Sequence, residues 1–263
     1  MTAFRIAFAT ALALVYALPV FAQDKVAKLT SLEWPPYSGA ALKDGGATVA
    51  VARAAFEAVG WKIEVKFVPW KRAVEMAKQG DDGTVGYFPE YFDAEASDFN
   101  FSVSMGNSPL GLVQPADKPV VWSSIADLKG AQPIGVVDGY LNTPEFDAAV
   151  ASGTLKVDTV SDDTLNVKKV AAGRIKAAVI DQHVLGWYLK NDASLKGLAD
   201  RVAFNEKPLA IKTLHIAFGK NARADAARAA LEAGLEKIEI DRIVNDHFVA
   251  SLTRRGAILL ASR

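Results

Sequence analysis

The sequence predicts an α/β fold, a mainly parallel sheet covered by helices. Two observations carry that prediction. Along most of the chain the apolar pattern switches between a period of two and a helical period, with Gly and Pro at the switches. The clearest strand sets Trp61, Ile63, Val65 and Phe67 against Lys62, Glu64 and Lys66, and a helix and another strand follow it, a βαβ rhythm. Size agrees: 263 residues, 51% apolar and 23% charged, are enough to bury a substantial core in one or two domains.

In chain order, 28–32 is a short strand stopped by Pro35 and Pro36. Gly45-Gly46 opens a helix with Val49, Ala52, Phe56 and Val59 on one face, closed by Gly60. After the strand at 61–67, Pro69 sits at the start of a helix reaching Lys78. A turn at 79–83 leads to a strand at 84–88. The rhythm restarts near Val120. A short helix capped by Ser124 ends at Lys129-Gly130, and strands at 133–137, 155–160 and 177–180 alternate with helices at 144–151, 164–172 and 182–190. A last strand at 213–218 precedes two helices, 222–235 and 238–252. The polar, Pro-containing segments 114–119 and 205–208 are candidate linkers.

Composition excludes several classes. With no Cys there are no disulfides, Cys-ligated zinc, iron–sulfur clusters or thiol catalysis. Thirty basic and 30 acidic residues cancel, and no Lys/Arg run suggests nucleic acid. His183, His215 and His247 have no metal-ligand spacing, so no cofactor or metal is expected. Arg5 followed by an apolar run over 6–21, with Val20 and Ala22 before Gln23, reads as a secretory signal peptide, 1–22, cleaved after Ala22. The alternative is an uncleaved anchor, for which the run is short and is interrupted by Pro19.

Further motifs stand in order: Trp34-Pro35-Pro36-Tyr37, Val68-Pro69-Trp70-Lys71-Arg72-Ala73, Gly80-x-Asp82-Gly83, Phe99-x-Phe101-Ser102, Asp127-Leu128-Lys129-Gly130 before Gly135-Val136-Val137, and Ala172-Gly173-Arg174-Ile175 running into Asp181. Together they resemble the family 3 periplasmic solute-binding proteins, the extracytoplasmic receptors of ABC importers for amino acids and other small polar solutes. The resemblance covers nearly all of 26–255. It implies the two-lobed periplasmic binding protein fold, with lobe 1 from 23–113 plus 212–263, lobe 2 from 118–208, and hinges near 114–117 and 209–211. It also implies a monomer that closes on a small polar solute and presents it to the membrane permease of an importer.

Ligands of open α/β sheets sit beyond the carboxyl ends of the strands. Glu33, Trp34 and Tyr37 follow the first strand and should reach the cleft, the alternative being that Trp34 packs its own loop. Trp70 either stacks on ligand or packs on lobe 1. Tyr87, Phe88 and Glu90 follow the third strand, where the family places polar ligand contacts. Tyr140 and Asn142 lie in a turn whose helix start could hold an anion or a carbonyl oxygen, or could be an ordinary turn. Asp181 matches the family position that pairs with the ligand's ammonium group; its alternative role is the cap of the helix at 182.

One departure bears on the ligand. Amino-acid receptors of the family place an Arg about six residues before the Phe-Ser pair, where its guanidinium grips a carboxylate in two hydrogen bonds. Here that position is Glu95, and no Arg occurs between Arg72 and Arg174. Arg72 is expected on an exposed helix face. An acidic, aromatic cleft without Arg favours an amine-bearing or neutral solute, through charge pairing and cation–π contact. Two other classes compete. Cyclohexadienyl dehydratases use the same scaffold with cleft acids and bases such as Glu33, Glu90, Asp181 or His183, but they act on carboxylated substrates and also need a cationic clamp. Sensory use is the other, as a ligand-presenting partner of a membrane sensor; fusion to a sensor is not expected, because the chain stops at Arg263.

Overall fold

The structure, a computed structural model, describes the backbone of residues 25–258 and the side chains of 25–249. The expected signal peptide at 1–22 lies outside the described residues. The strands are β1 (Val26–Ser31), β2 (Lys62–Phe67), β3 (Thr84–Tyr91), β4 (Phe99–Phe101), β5 (Asn107–Pro115), β6 (Ile134–Val137), β7 (Val157–Val160), β8 (Ala178–Asp181), β9 (Val202–Phe204) and β10 (Ala210–Gly219). The α-helices are α1 (Ala47–Glu57), α2 (Trp70–Gln79), α3 (Pro144–Ala151), α4 (Asp163–Ala171), α5 (Gln182–Asn191), α6 (Ala222–Leu235) and α7 (Ile240–Ile258).

The strands run in the order β2-β1-β3-β10-β5-β8-β6-β7, with β4 on β10 and β9 on β5. Pairing is parallel in the outer parts, β1 with β2 and β3, and β6 with β7 and β8. It is antiparallel wherever β5 or β10 takes part. Those two strands are the crossings. Asn107–Leu110 pair with Ala210–Thr213; beyond that segment β10 joins β3 and β5 joins β8. Each lobe is therefore a parallel sheet covered by helices and closed by an antiparallel crossing strand.

Leu110–Val113 already pair with β8, so β5 enters lobe 2 ahead of the expected crossing at 114–117. Pro109 and Gly111 hide this strand from a propensity reading, and β4 and β9 are too short to show a period. The supposed linkers form a packed corner instead. Gln114 Oε1 accepts from Val120 N at 2.8 Å and from Asn205 Nδ2 at 2.6 Å. Asn205 Nδ2 also donates to Val120 O at 2.8 Å. Polar side chains here serve buried backbone groups, as burial demands.

Lobe 1 packs Val49, Phe56, Ile63, Val85, Phe88, Phe218 and Leu231 into one cluster. Lobe 2 packs Leu112, Leu128, Ile134, Phe146, Val167 and Leu185, and this cluster also takes in Trp34, Tyr37 and Tyr91 of lobe 1. Helices α1 and α6 cross closely at Gly234, where a Cβ would overlap the Ala55 carbonyl oxygen. In an unconstrained helix Gly→Ala gains about 1 kcal/mol of propensity. Here Gly234→Ala is expected to cost about 1–3 kcal/mol through overpacking. A denaturant midpoint that stays put or rises would argue against so close a crossing.

Candidate functional site

A cleft open to solvent at its mouth, with about 40 Å³ of free interior volume, lies between the lobes. Its walls come from chain that follows or ends parallel strands. Leu32 and Trp34 follow β1, Pro89, Glu90 and Tyr91 end β3, and Trp70 starts α2. From lobe 2 come Val137, Tyr140, Leu141 and Asn142 at and after β6, Asp163 after β7, and Val179, Ile180 and Asp181 at the end of β8. Leu110 of the crossing strand completes it. Side chains leaving the carboxyl ends of strands converge there because helices cover the sheet faces.

Among the sequence candidates, Trp34, Trp70, Glu90, Tyr140, Asn142 and Asp181 line this cleft, and Glu33, Tyr37, Tyr87 and Phe88 do not. Glu33 is exposed and turns to its own loop, where Oε1 accepts from Ala40 N at 3.0 Å. Phe88 is fully buried in the lobe 1 core; the register of β3 against β10 shifts between Tyr87 and Glu90, so Phe88 and Glu90 do not share a face. Tyr87 packs edge-on to Trp70 at 5.2 Å and to Phe99 at 4.9 Å, behind the wall. Tyr37, 1% exposed, stacks under Trp34 at 4.7 Å and 21°. Trp34 is thereby held flat, with Tyr91 edge-on at 6.4 Å.

The sequence reading missed Tyr91 and Asp163. Asp163 follows Asp162, whose carboxylate caps α4 by accepting from Leu165 N at 3.1 Å. The doubled acid was the available signal: one carboxylate suffices for a cap. Asp163 is 3% exposed and lines the cleft together with Trp34.

The cleft is acidic. Among the described residues no Lys, Arg or His lines it, while Glu90, Asp163 and Asp181 do. Burial pushes Glu90 up to about 8, against the pull of hydrogen bonds from Tyr91 N and the Tyr87 hydroxyl and of the Lys212 charge. Burial pushes Asp163 up to about 7, reinforced by the charges of Asp181 and Asp162. Asp181 is also raised, again chiefly by burial. Lys212 is the nearby base: its Nζ lies 5.1 Å from the Tyr91 ring centre, and burial lowers its pKa.

Asp181 caps α5. Its Oδ1 accepts from His183 N at 2.6 Å and Val184 N at 2.9 Å. Its Oδ2 accepts from Ser108 Oγ at 2.6 Å and from the Tyr37 hydroxyl at 3.0 Å. A carboxylate has about four acceptor positions, so the chain itself fills them, and the expected pairing with a ligand ammonium group has no free acceptor in this conformation. The turn at Tyr140–Asn142 is likewise occupied. Asn142 N and Nδ2 donate to Asp147 at 2.9 and 2.7 Å, and Thr143 Oγ1 accepts from Phe146 N at 3.2 Å. The Asp147 carboxylate takes the donors that the turn could have offered to an anion or a carbonyl oxygen. Arg72 is exposed and outside the lining, as expected. Among the described residues, nothing in the cleft walls replaces the missing Arg as a carboxylate clamp. Among the described residues no cluster suits a metal, and no helix is long and apolar enough to cross a membrane.

No family model and no curated protein matches the chain. Solved structures do. A histidine kinase sensor domain with similarity to periplasmic binding proteins is 16% identical with a TM-score of 0.70, over 88% of this chain and 98% of that one. AbpA, an amino acid ABC transporter substrate-binding protein from Streptococcus pneumoniae bound to L-arginine, is 16% identical with a TM-score of 0.65, over 86% and 96%. The GluR0 ligand-binding core from Nostoc punctiforme, in complex with L-glutamate, is 18% identical with a TM-score of 0.65, over 84% and 97%. At such identities the likeness carries the architecture and leaves the ligand to the site's own chemistry. Two lobes, two antiparallel crossing strands and a cleft at the strand ends give this chain the bilobed fold of the periplasmic binding proteins.

Proposed function

We propose that this protein is an extracytoplasmic solute-binding protein of the family 3 type, exported with cleavage near Ala22 and working as a monomer. It captures an amine-bearing or neutral solute between its lobes and delivers it to the permease of an ABC-type importer. The single observation that carries the ligand class is the cleft wall, which joins buried carboxylates to aromatic faces and, among the described residues, includes no cationic side chain. A ligand ammonium group between Glu90 and Asp163 would meet one carboxylate from each lobe, and Trp34, Trp70 and Tyr140 would supply cation–π faces. The paired segments Asn107–Leu110 and Ala210–Thr213 are the proposed hinges, since every other strand pair stays within one lobe. Contacts made to both lobes at once supply the free energy that favours closure. No chemistry is assigned to the cleft acids; they serve as counter-charges.

A membrane sensor in place of the permease is the second reading. It is favoured by the histidine kinase sensor domain among the structural neighbours. The ligand class is the same in both.

A thermal-shift screen of the purified protein, unfolded and refolded to strip bound solute, tests the proposal. The panel holds monoamines, diamines, quaternary amines, α-amino acids, sugars, dicarboxylates and prephenate. Ligand at 100 times its dissociation constant adds about 2.7 kcal/mol. Amines or neutral solutes should raise the midpoint and dicarboxylates should not. Selective stabilisation by a dicarboxylate or by prephenate would overturn the ligand class, and turnover of prephenate would restore the enzymatic alternative.

A further inference from the structure

The lobes touch at the floor of the cleft and at its mouth. At the floor, the Tyr91 hydroxyl and Ser108 Oγ share a hydrogen bond of 2.7 Å, Ser108 donates to Asp181 at 2.6 Å, and Tyr37 donates to the same carboxylate oxygen at 3.0 Å. Tyr37 and Tyr91 belong to lobe 1, Ser108 to the crossing strand β5 and Asp181 to lobe 2, so one buried network runs from lobe to lobe through the hinge. At the mouth, Trp70 Nε1 donates to Gly139 O at 3.1 Å, and Lys71 Nζ lies 2.7 Å from Asp138 Oδ2. Gly139 takes φ +81°, where a side chain would be strained and would also crowd Lys71.

We propose that Asp181 is the tie that holds the lobes together rather than the anchor of a bound cation, so that this chain populates its closed form without solute. Hydroxyls of Tyr37 and Ser108 occupy the acceptor positions that a ligand ammonium group would otherwise take. Opening the cleft removes the Tyr37 donor from a carboxylate that stays fixed to α5 by its backbone bonds. Hydrogen bonds to a charged, buried acceptor are the strong ones, and leaving such an acceptor short of a donor is costly. The ion pair at the mouth is exposed on both sides and adds little by itself. It marks closure more than it drives it. The inference stands apart from the ligand class, because it concerns the empty protein.

The absence of Cys makes the test clean. Spin labels on Glu75→Cys in α2 and Glu145→Cys in α3, one on each lobe, report the distance across the cleft. In solute-stripped protein a large share of molecules should show the short, closed distance. Tyr37→Phe should raise the ratio of open to closed molecules roughly tenfold, the effect of losing one charge-assisted hydrogen bond. Ser108→Ala should act in the same direction, and it keeps the test available if Tyr37→Phe weakens folding. Lys71→Ala should change the ratio little. Stripped protein that shows only the long distance overturns the proposal. So does a Tyr37→Phe, Ser108→Ala pair that leaves the distribution unchanged.

Discussion

Replacing Glu90 by Gln and Asp163 by Asn together is expected to weaken amine binding by about a hundredfold or more, with each single change costing about tenfold. The amides keep the size of the acids and most of their hydrogen bonding, so only the charge goes. Both groups are buried, Glu90 at 7% and Asp163 at 3% exposed, so water screens neither from a cation in the cleft. Fold and binding should also respond in opposite directions. A buried carboxylate costs desolvation free energy when ionised, so the double variant should be at least as stable as the parent at pH 8 while binding less. Binding lost together with stability would mean that the two acids hold the lobes rather than the ligand. Unchanged amine binding would remove them from the site.

The second large effect is on stability against pH. Both acids have folded pKa values above their ordinary ones, Glu90 at about 8 and Asp163 at about 7. Between the ordinary and the raised value the folded state binds the proton and the unfolded chain does not. Stability therefore falls as pH rises through that window, by up to about 1.4 kcal/mol per pH unit for each group. Asp181 is raised as well and acts in the same sense. His215 opposes them. Burial lowers its pKa, so its protonation destabilises the fold only as pH falls below about 6.5. The window from pH 6.5 to 8 is thus free of that opposition, and the empty protein should lose about 2 kcal/mol across it. For a chain of this size that is about 4–8 °C in midpoint. The double variant should flatten the curve. A midpoint that stays flat over the same window would mean that these acids titrate as ordinary exposed carboxylates.

Much of the fold was legible because it rests on local rules. Helices at 144–151 and 222–235 begin at a capping Thr143 or Asn221 followed by an unbroken helical run. Strand β2 showed its period of two because one of its faces is exposed. Strand β5 was not legible. Pro109, Gly111 and Pro115 lie within it, and only pairing with three other strands makes it regular. The site divides in the same way. Trp34, Trp70, Glu90 and Asn142 follow from position at strand ends, and that rule also misplaced Glu33, Tyr87 and Phe88. It names the loop or strand end and not the direction of each side chain. Asp181 is the instructive case, since one carboxylate fits a cap, a cleft wall and a ligand anchor equally well in sequence. The Tyr37 and Ser108 hydroxyls that donate to it are distant in the chain, so no local pattern announces them.

The most direct measurement is calorimetric titration of the stripped protein with the best amine of the screen, at pH 7 in two buffers of different ionisation enthalpy. A cation seated on Glu90 and Asp163 must drive off the protons they hold at that pH, so about one proton should be released per amine bound. Binding of an amine with no release, or with proton uptake, would place the cation away from both acids and contradict the proposed site.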